Sequence, residues 1–135
     1  MTNSGMTHEE AQDFAQAWLA AWNSHDIDAV LSHFADDASF SSPIAAVMFP
    51  ESGGILRGKQ AIKEYWSAAI QHIPDLHFEI LGVYAGINLV VINYRNHVGN
   101  LVNEVLALGP DGLVRSGAGT YIAADAARAS GVRPA

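Results

Sequence analysis

Cysteine is absent from the 135 residues, which excludes a disulfide framework, a thiol nucleophile and cysteine-type zinc sites together. Positive charge is scarce. Seven Lys and Arg stand against fourteen Asp and Glu, for a formal charge of -7, and the only basic cluster is Arg57, Lys59 and Lys63. Such a surface repels phosphate backbones and anionic lipid, so neither nucleic acid nor membrane is expected as a partner. No apolar run reaches the ~20 residues that cross a bilayer, and Met1 to Glu10 lacks the apolar segment of a leader, so a cytoplasmic protein is expected. The six histidines, at 8, 25, 33, 72, 77 and 97, show no H-x-H or H-x-x-x-H spacing. No P-loop, G-x-G-x-x-G or Ser-His-Asp order occurs either, so no metal and no cofactor is expected. Repeats, low-complexity segments and internal boundaries are lacking.

What is present is apolar. Half the residues are hydrophobic and 16% are charged, the composition of one globular domain with a large interior or a buried oligomer face. The reading is a single domain over 1–135, with a core of about 8–123 and a flexible tail of 124–135.

Thr7-His8-Glu9-Glu10 has the form of a capping box, and Phe14, Trp18 and Trp22 recur every four residues behind it, predicting a helix to about Asn23. Asp26 caps a shorter helix whose apolar face is Ile27, Val30, Leu31 and Phe34. Ala38–Ser42 alternates and stops at Pro43, a short strand near an edge. Ile44 to Arg57 has no period and reads as a loop, unusually apolar at Met48 and Phe49, which suit either a lid over a pocket or a dimer contact. A third helix follows from Lys59 to His72. From His77 onward the period becomes two, giving runs at His77–Tyr84, Ile87–Asn96, Leu101–Leu108 and Leu113–Ala123. Their connections are so short that these four must be antiparallel neighbours. Three helices followed by an antiparallel meander make an α+β fold, the helices lying on one face of the sheet and enclosing an apolar pocket.

Register places the polar residues. Pairing Leu108 with Leu113 sets Glu104 opposite Gly117 and Val102 opposite Gly119, with Tyr121 on the same face, and a tight turn at Val98-Gly99 sets Asn93 opposite Glu104. Two glycines beside an acid mean either room for a ligand or a bulge without functional meaning. Val90, Ile92, Tyr94, Leu101, Val105 and Val114 then form an apolar outer face, which suggests a homodimer.

The segments Trp22 to Val30, Phe34-Ala35-Asp36-Asp37-Ala38, Ser42-Pro43 and Gly58 to Trp66, in this order of elements, closely resemble the nuclear transport factor 2-like superfamily, and the SnoaL-like polyketide cyclases and ketosteroid isomerases look nearest. The resemblance runs from about residue 8 to about residue 123. It implies a cone-shaped α+β barrel with an apolar cavity, commonly dimerised through the sheet. Carried over residue by residue, the isomerase's general-base aspartate falls on Ser42, which cannot abstract a carbon-bound proton. Its first-helix oxyanion tyrosine falls on Trp18, and its protonated aspartic acid falls on Glu104, which alone keeps its chemical type. The Arg and paired Asp of epoxide hydrolases of this fold are missing, and the dehydratase pattern is matched only by His77 and loosely by Tyr121.

Glu104 is thus the candidate catalytic residue, with Trp18, Ser42, Asn93 and Tyr121 as candidate ligand contacts. Two states stay open for Glu104: a neutral acid with its pKa raised in an apolar cavity, or a carboxylate paired with Arg95 or Arg115. Trp22 and Trp66 read as core and cavity wall. The functional expectation is a pocket for a small hydrophobic ligand, in one of two forms. One is a cofactor-free acid–base isomerase or cyclase acting on an apolar carbonyl compound. The other is a non-catalytic binding protein or a homodimeric accessory protein.

Overall fold

A computed structural model describes residues 7–122, so the expectation of a flexible tail at 124–135 lies outside the described residues. Helix α1, His8–Asn23, begins on the expected capping box: Glu10 N–H donates to Thr7 Oγ1, and Thr7 N–H donates to the Glu10 carboxylate. Its stripe of Phe14, Trp18 and Trp22 is buried. Asp26 caps α2, Ile27–Leu31, by accepting from Ala29 N–H. Phe34 belongs not to that helix but to strand β1, Phe34–Ser41, because α2 stops after five residues.

The segment read as a loop carries structure. Ser42 caps helix α3, Pro43–Met48, by accepting from Ile44 N–H at 3.1 Å, a helix too short for its period to stand out. A 3₁₀ turn at Pro50–Ser52 and strand β2, Ile55–Arg57, follow. Four α-helices therefore replace the three expected, the last being α4, Lys59–His72, with the expected bounds.

Strands β3 (Glu79–Gly86), β4 (Leu89–Arg95), β5 (Leu101–Leu108) and β6 (Val114–Tyr121) complete a curved six-stranded sheet in the order β2-β1-β6-β5-β4-β3. The four C-terminal strands form the expected antiparallel meander. The sheet as a whole is mixed, however, since β1 runs parallel to β6. A parallel neighbour needs a long crossover, here everything from α3 to β5, and the argument from short connections could not reach that pair.

Two registers differ from expectation, with opposite consequences. The β4–β5 connection is not a two-residue turn: Asn96 N–H donates to Asn100 O, and Arg95 pairs with Leu101. The slip is one residue, and one residue reverses every side chain. Asn93 therefore pairs with Asn103 on the outer face, while Val90, Ile92 and Tyr94 turn inward and are buried. Val114 is buried as well, so Leu101 and Val105 are what remains of the expected apolar outer set. In the β5–β6 hairpin, Leu108 pairs with Val114 and a bulge absorbs Arg115, so Glu104 lies opposite Gly119 and Leu106 opposite Gly117. That shift is two residues, which preserves the face.

The helices close the inner side. The Asn23 side chain donates to Phe78 O at 3.0 Å and accepts from Phe78 N–H at 2.8 Å, and His25 Nε2 lies 2.9 Å from Leu76 O. These bonds fasten the end of α1 to the approach of β3, and explain why polar residues interrupt the apolar pattern between α1 and α2.

The two glycines of β6 separate in role. A Cβ on Gly117 would lie 3.0 Å from both Leu106 Cδ2 and Phe40 Cδ1, so the absence of a side chain there is a packing requirement. A Cβ on Gly119 would find its nearest atoms, Glu104 Oε1, Phe40 Cζ and Ser42 Oγ, at 3.8 Å, which is open space beside the acid. Gly117→Ala is expected to lower stability by about 1–3 kcal/mol through overpacking, and Gly119→Ala to change it by less than about 1 kcal/mol. Thermal or urea unfolding of both variants measures the contrast.

Candidate functional site

Between the inner face of the sheet and helices α1, α3 and α4 lies a cavity of about 120 Å³. This is comparable to the ~150 Å³ space that accepts one benzene ring. Its walls are aromatic, with Trp18, Trp22, Tyr65 and Phe78 among them, and among the described residues no Lys, Arg or Asp lines it.

At its floor β5 presents Glu104, whose residue is 3% exposed. The strand is central and its inner face is covered, so the inward alternation of Val102, Glu104, Leu106 and Leu108 carries one acid into an otherwise apolar row. The partner of the carboxyl is the Tyr94 hydroxyl, which donates to Oε1 at 3.3 Å. Neither arginine reaches it. Arg95 lies 3.8 Å from Glu79, and Arg115 bonds Asp111 and faces Asp37, all on the outer surface. Burial pushes the Glu104 pKa up to about 8, against a smaller opposing effect of the Tyr94 hydrogen bond. Among the described residues no arginine or lysine pairs with Glu104, and burial favours its neutral form.

Three phenols surround it. Burial raises the pKa of each, that of Tyr65 to about 12 and those of Tyr94 and Tyr121 further, so all three remain neutral donors. Tyr65 O–H donates to Ser42 Oγ at 3.5 Å. Ser42 Oγ also accepts from Ile44 N–H and shares a hydrogen bond with Tyr121.

Of the expected contacts, Trp18, Ser42 and Tyr121 line the cavity with Glu104, and Asn93 does not. His77 is exposed. Met48 lines the cavity from α3, and Phe49 packs edge-on against Tyr65 at 6.2 Å, so both lie against their own chain. Sequence reasoning missed Tyr94, which the register error sent outward, and His97, which sits in the β4–β5 connection with no motif around it. Tyr94 was detectable in principle, as the inward position two residues beyond Ile92.

Among the described residues, three buried side-chain nitrogens lack a hydrogen-bond partner: Trp18 Nε1, Trp22 Nε1 and His97 Nδ1. All three belong to residues lining this cavity. The two indoles are obligate donors, whereas the Tyr65 and Tyr94 protons are already engaged by Ser42 and Glu104. Among the described residues no three His, Asp or Glu side chains gather as a metal would need, and no helix is long and apolar enough to cross a membrane.

The profile of the SnoaL-like domain family matches residues 15–126. The chain belongs to that family. Among solved structures it is similar to a SnoaL-like protein of unknown function from Burkholderia thailandensis E264, with 43% identity, 87% of this chain and 98% of that one covered, and a TM-score of 0.83. A putative isomerase of the SnoaL-like family from Agrobacterium tumefaciens strain C58 aligns at 21% identity and TM-score 0.65 over 83% of this chain and 97% of that one. A protein of ketosteroid isomerase-like fold from Catenulispora acidiphila DSM 44928, solved with trimethylamine, aligns at 19% identity and TM-score 0.68 over 90% and 95%. At these lower identities the likeness concerns fold alone. No curated protein matches the chain.

The raised pKa of Glu104 has a sign that stability must follow. The unfolded chain ionises this group near 4.5 and the folded chain near 8, so between those values the folded state holds more protons and stability falls as pH rises. The total is on the order of a few kcal/mol, complete by about pH 9. Glu104→Gln is expected to unfold at a higher temperature than the parent at pH 8.5, with the gap closing at pH 5. Thermal melts at the two pH values check this, and equal melts of parent and variant at both would place the carboxyl in water.

Proposed function

We propose that the cavity binds a small apolar carbonyl compound and that Glu104, protonated, donates to the carbonyl oxygen in cofactor-free acid–base chemistry of the isomerase or cyclase type. The observation carrying this reading is the buried Glu104 carboxyl, bonded by Tyr94 and facing no cation among the described residues. A neutral acid in an apolar site can donate a hydrogen bond that strengthens as negative charge gathers on the substrate oxygen, whereas an ionised glutamate would repel that charge. Ser42 and Tyr121 supply two further hydroxyls at the floor, and the open space at Gly119 seats the oxygen between Glu104 and Ser42.

A second reading, binding without turnover, draws support from Ser42 standing where an isomerase of this fold carries its base. The two readings share the pocket and differ in whether a base completes it. Pairing of two copies across the outer sheet face, where Leu101 and Val105 lie half-buried, accompanies either, and sedimentation would establish it.

Binding of a neutral ketone such as cyclohex-2-enone, followed by quenching of tryptophan fluorescence, tests the reading. Affinity is expected to be constant below pH 7 and to weaken about tenfold by pH 10 as Glu104 loses its proton, the loss of one hydrogen bond to an acid. Glu104→Gln, which keeps a donor that does not titrate, is expected to bind with no such dependence. Affinity that ignores pH in the parent, or that survives Glu104→Ala undiminished, would exclude Glu104 from the contact.

A further inference from the structure

Glu104 accounts for an acid and leaves the pocket without a base, because position 42 is serine. Among the described residues lining this cavity are one carboxyl group, Glu104 at the floor, and one imidazole, His97 in the connection between β4 and β5. The neighbour of His97, Val98, also lines the cavity and is 57% exposed, which puts this connection at the rim. His97 is half-buried, and its Nδ1 is enclosed without a partner.

We propose that His97 is the general base of this site, taking a proton from a carbon of the bound molecule while Glu104 protonates its carbonyl oxygen. The inference rests on the reading of Glu104 as a neutral acid given above.

Electrostatics support the geometry. Burial pushes the His97 pKa down, with Asp75 in the α4–β3 connection opposing in part, while burial pushes Glu104 up. At pH 7 the histidine is a free base and the glutamic acid is protonated, and environments that drive two such groups apart in this way define an acid–base pair. The other titratable groups facing the cavity are Tyr65 from α4, Tyr94 from β4 and Tyr121 from β6, all neutral. Helices α1 and α3 present none. Because Nδ1 is enclosed, the nitrogen open to a bound molecule is Nε2, which carries the lone pair in the Nδ1–H tautomer.

Position indicates which proton moves. Glu104 lies at the floor and His97 at the rim of a cavity about the size of one ring. A molecule touching both groups spans the cavity, so the carbon that loses its proton lies across the ring from the carbonyl, as the γ carbon of a cyclic enone does. The C–H proton passes to the imidazole, its electron pair forms a new C=C bond, the enone double bonds shift toward oxygen, and the oxygen takes the Glu104 proton. A dienol, an imidazolium and a carboxylate result. Return of the imidazolium proton to a different carbon, and of the enol proton to Glu104, completes an isomerisation and restores both groups.

The test uses the full chain, cyclohex-2-enone in deuterated water, and proton NMR to follow deuterium entering the γ position, with ketone binding measured in parallel by tryptophan fluorescence. Exchange above the buffer rate is expected in the parent, with a pH profile rising below 6.5 and falling above about 8. His97→Ala is expected to lose about 100-fold, to lose the lower limb of the profile, and to recover on addition of imidazole. His97→Gln, which preserves size and polarity, is expected to be equally slow while unfolding at the parental temperature. If His97→Ala exchanges at the parental rate, or loses exchange that imidazole does not restore, while Glu104→Gln is inactive, the base assignment is overturned and the role of Glu104 stands. Ketone binding without exchange in the parent also overturns the base assignment alone. A ketone that neither binds nor exchanges overturns the reading of the pocket itself.

Discussion

The burial of one carboxyl group beside a phenol, with no cation in reach among the described residues, is the constraint on which the rest of this molecule turns. An ionised Glu104 in that position would face a large desolvation cost that a single Tyr94 hydrogen bond cannot offset. The group therefore holds its proton to about pH 8 and the cavity stays uncharged. Strand alternation maintains this condition. Arg95 and Arg115 are close in sequence to the cavity wall, yet both point to the outer face, where Glu79, Asp37 and Asp111 engage them. Had either arginine turned inward, it would have drawn off the proton and made the site a structural ion pair.

Several local devices hold the walls around that acid. The amide of Asn23 extends the hydrogen bonding of the sheet approach onto the end of α1, which places Trp18 and Trp22 over the inner face. Ser42 caps α3 and meets Tyr65, so one residue both starts a helix and contributes a hydroxyl to the floor. Gly119 leaves room where any side chain would fill it. Membership of the SnoaL-like family accounts for the architecture, and because one architecture hosts many chemistries, the activity has to be argued from the floor and rim of this particular cavity.

Much of this was readable in the chain. The capping box at Thr7, the stripe of Phe14, Trp18 and Trp22, the cap at Asp26 and the bounds of α4 are local patterns, and local hydrogen bonding realises them. Glu104, Gly119 and Tyr121 were assigned to one face despite a wrong partner, because the β5–β6 shift is two residues and a period of two forgives it. Asn93 and Tyr94 were exchanged because the neighbouring connection slipped by one, which it does not forgive. Helix α3 and strand β2 escaped notice since each is shorter than the window over which a period can be detected.

The order of polar and apolar residues along the chain thus determined by itself that helices precede a meander, that the interior is apolar, and that one acid falls among inward positions of β5. Only the tertiary structure decided that β1 lies parallel beside β6, that Tyr94 rather than an arginine meets Glu104, and that His97 stands at the rim of the same cavity. The physical reason is one of range. Capping and periodicity act over a few residues and leave their mark in sequence, whereas the partners of a buried charge come from strands and connections whose registers depend on loop geometry and on bulges, and a single residue there reverses which side chains meet.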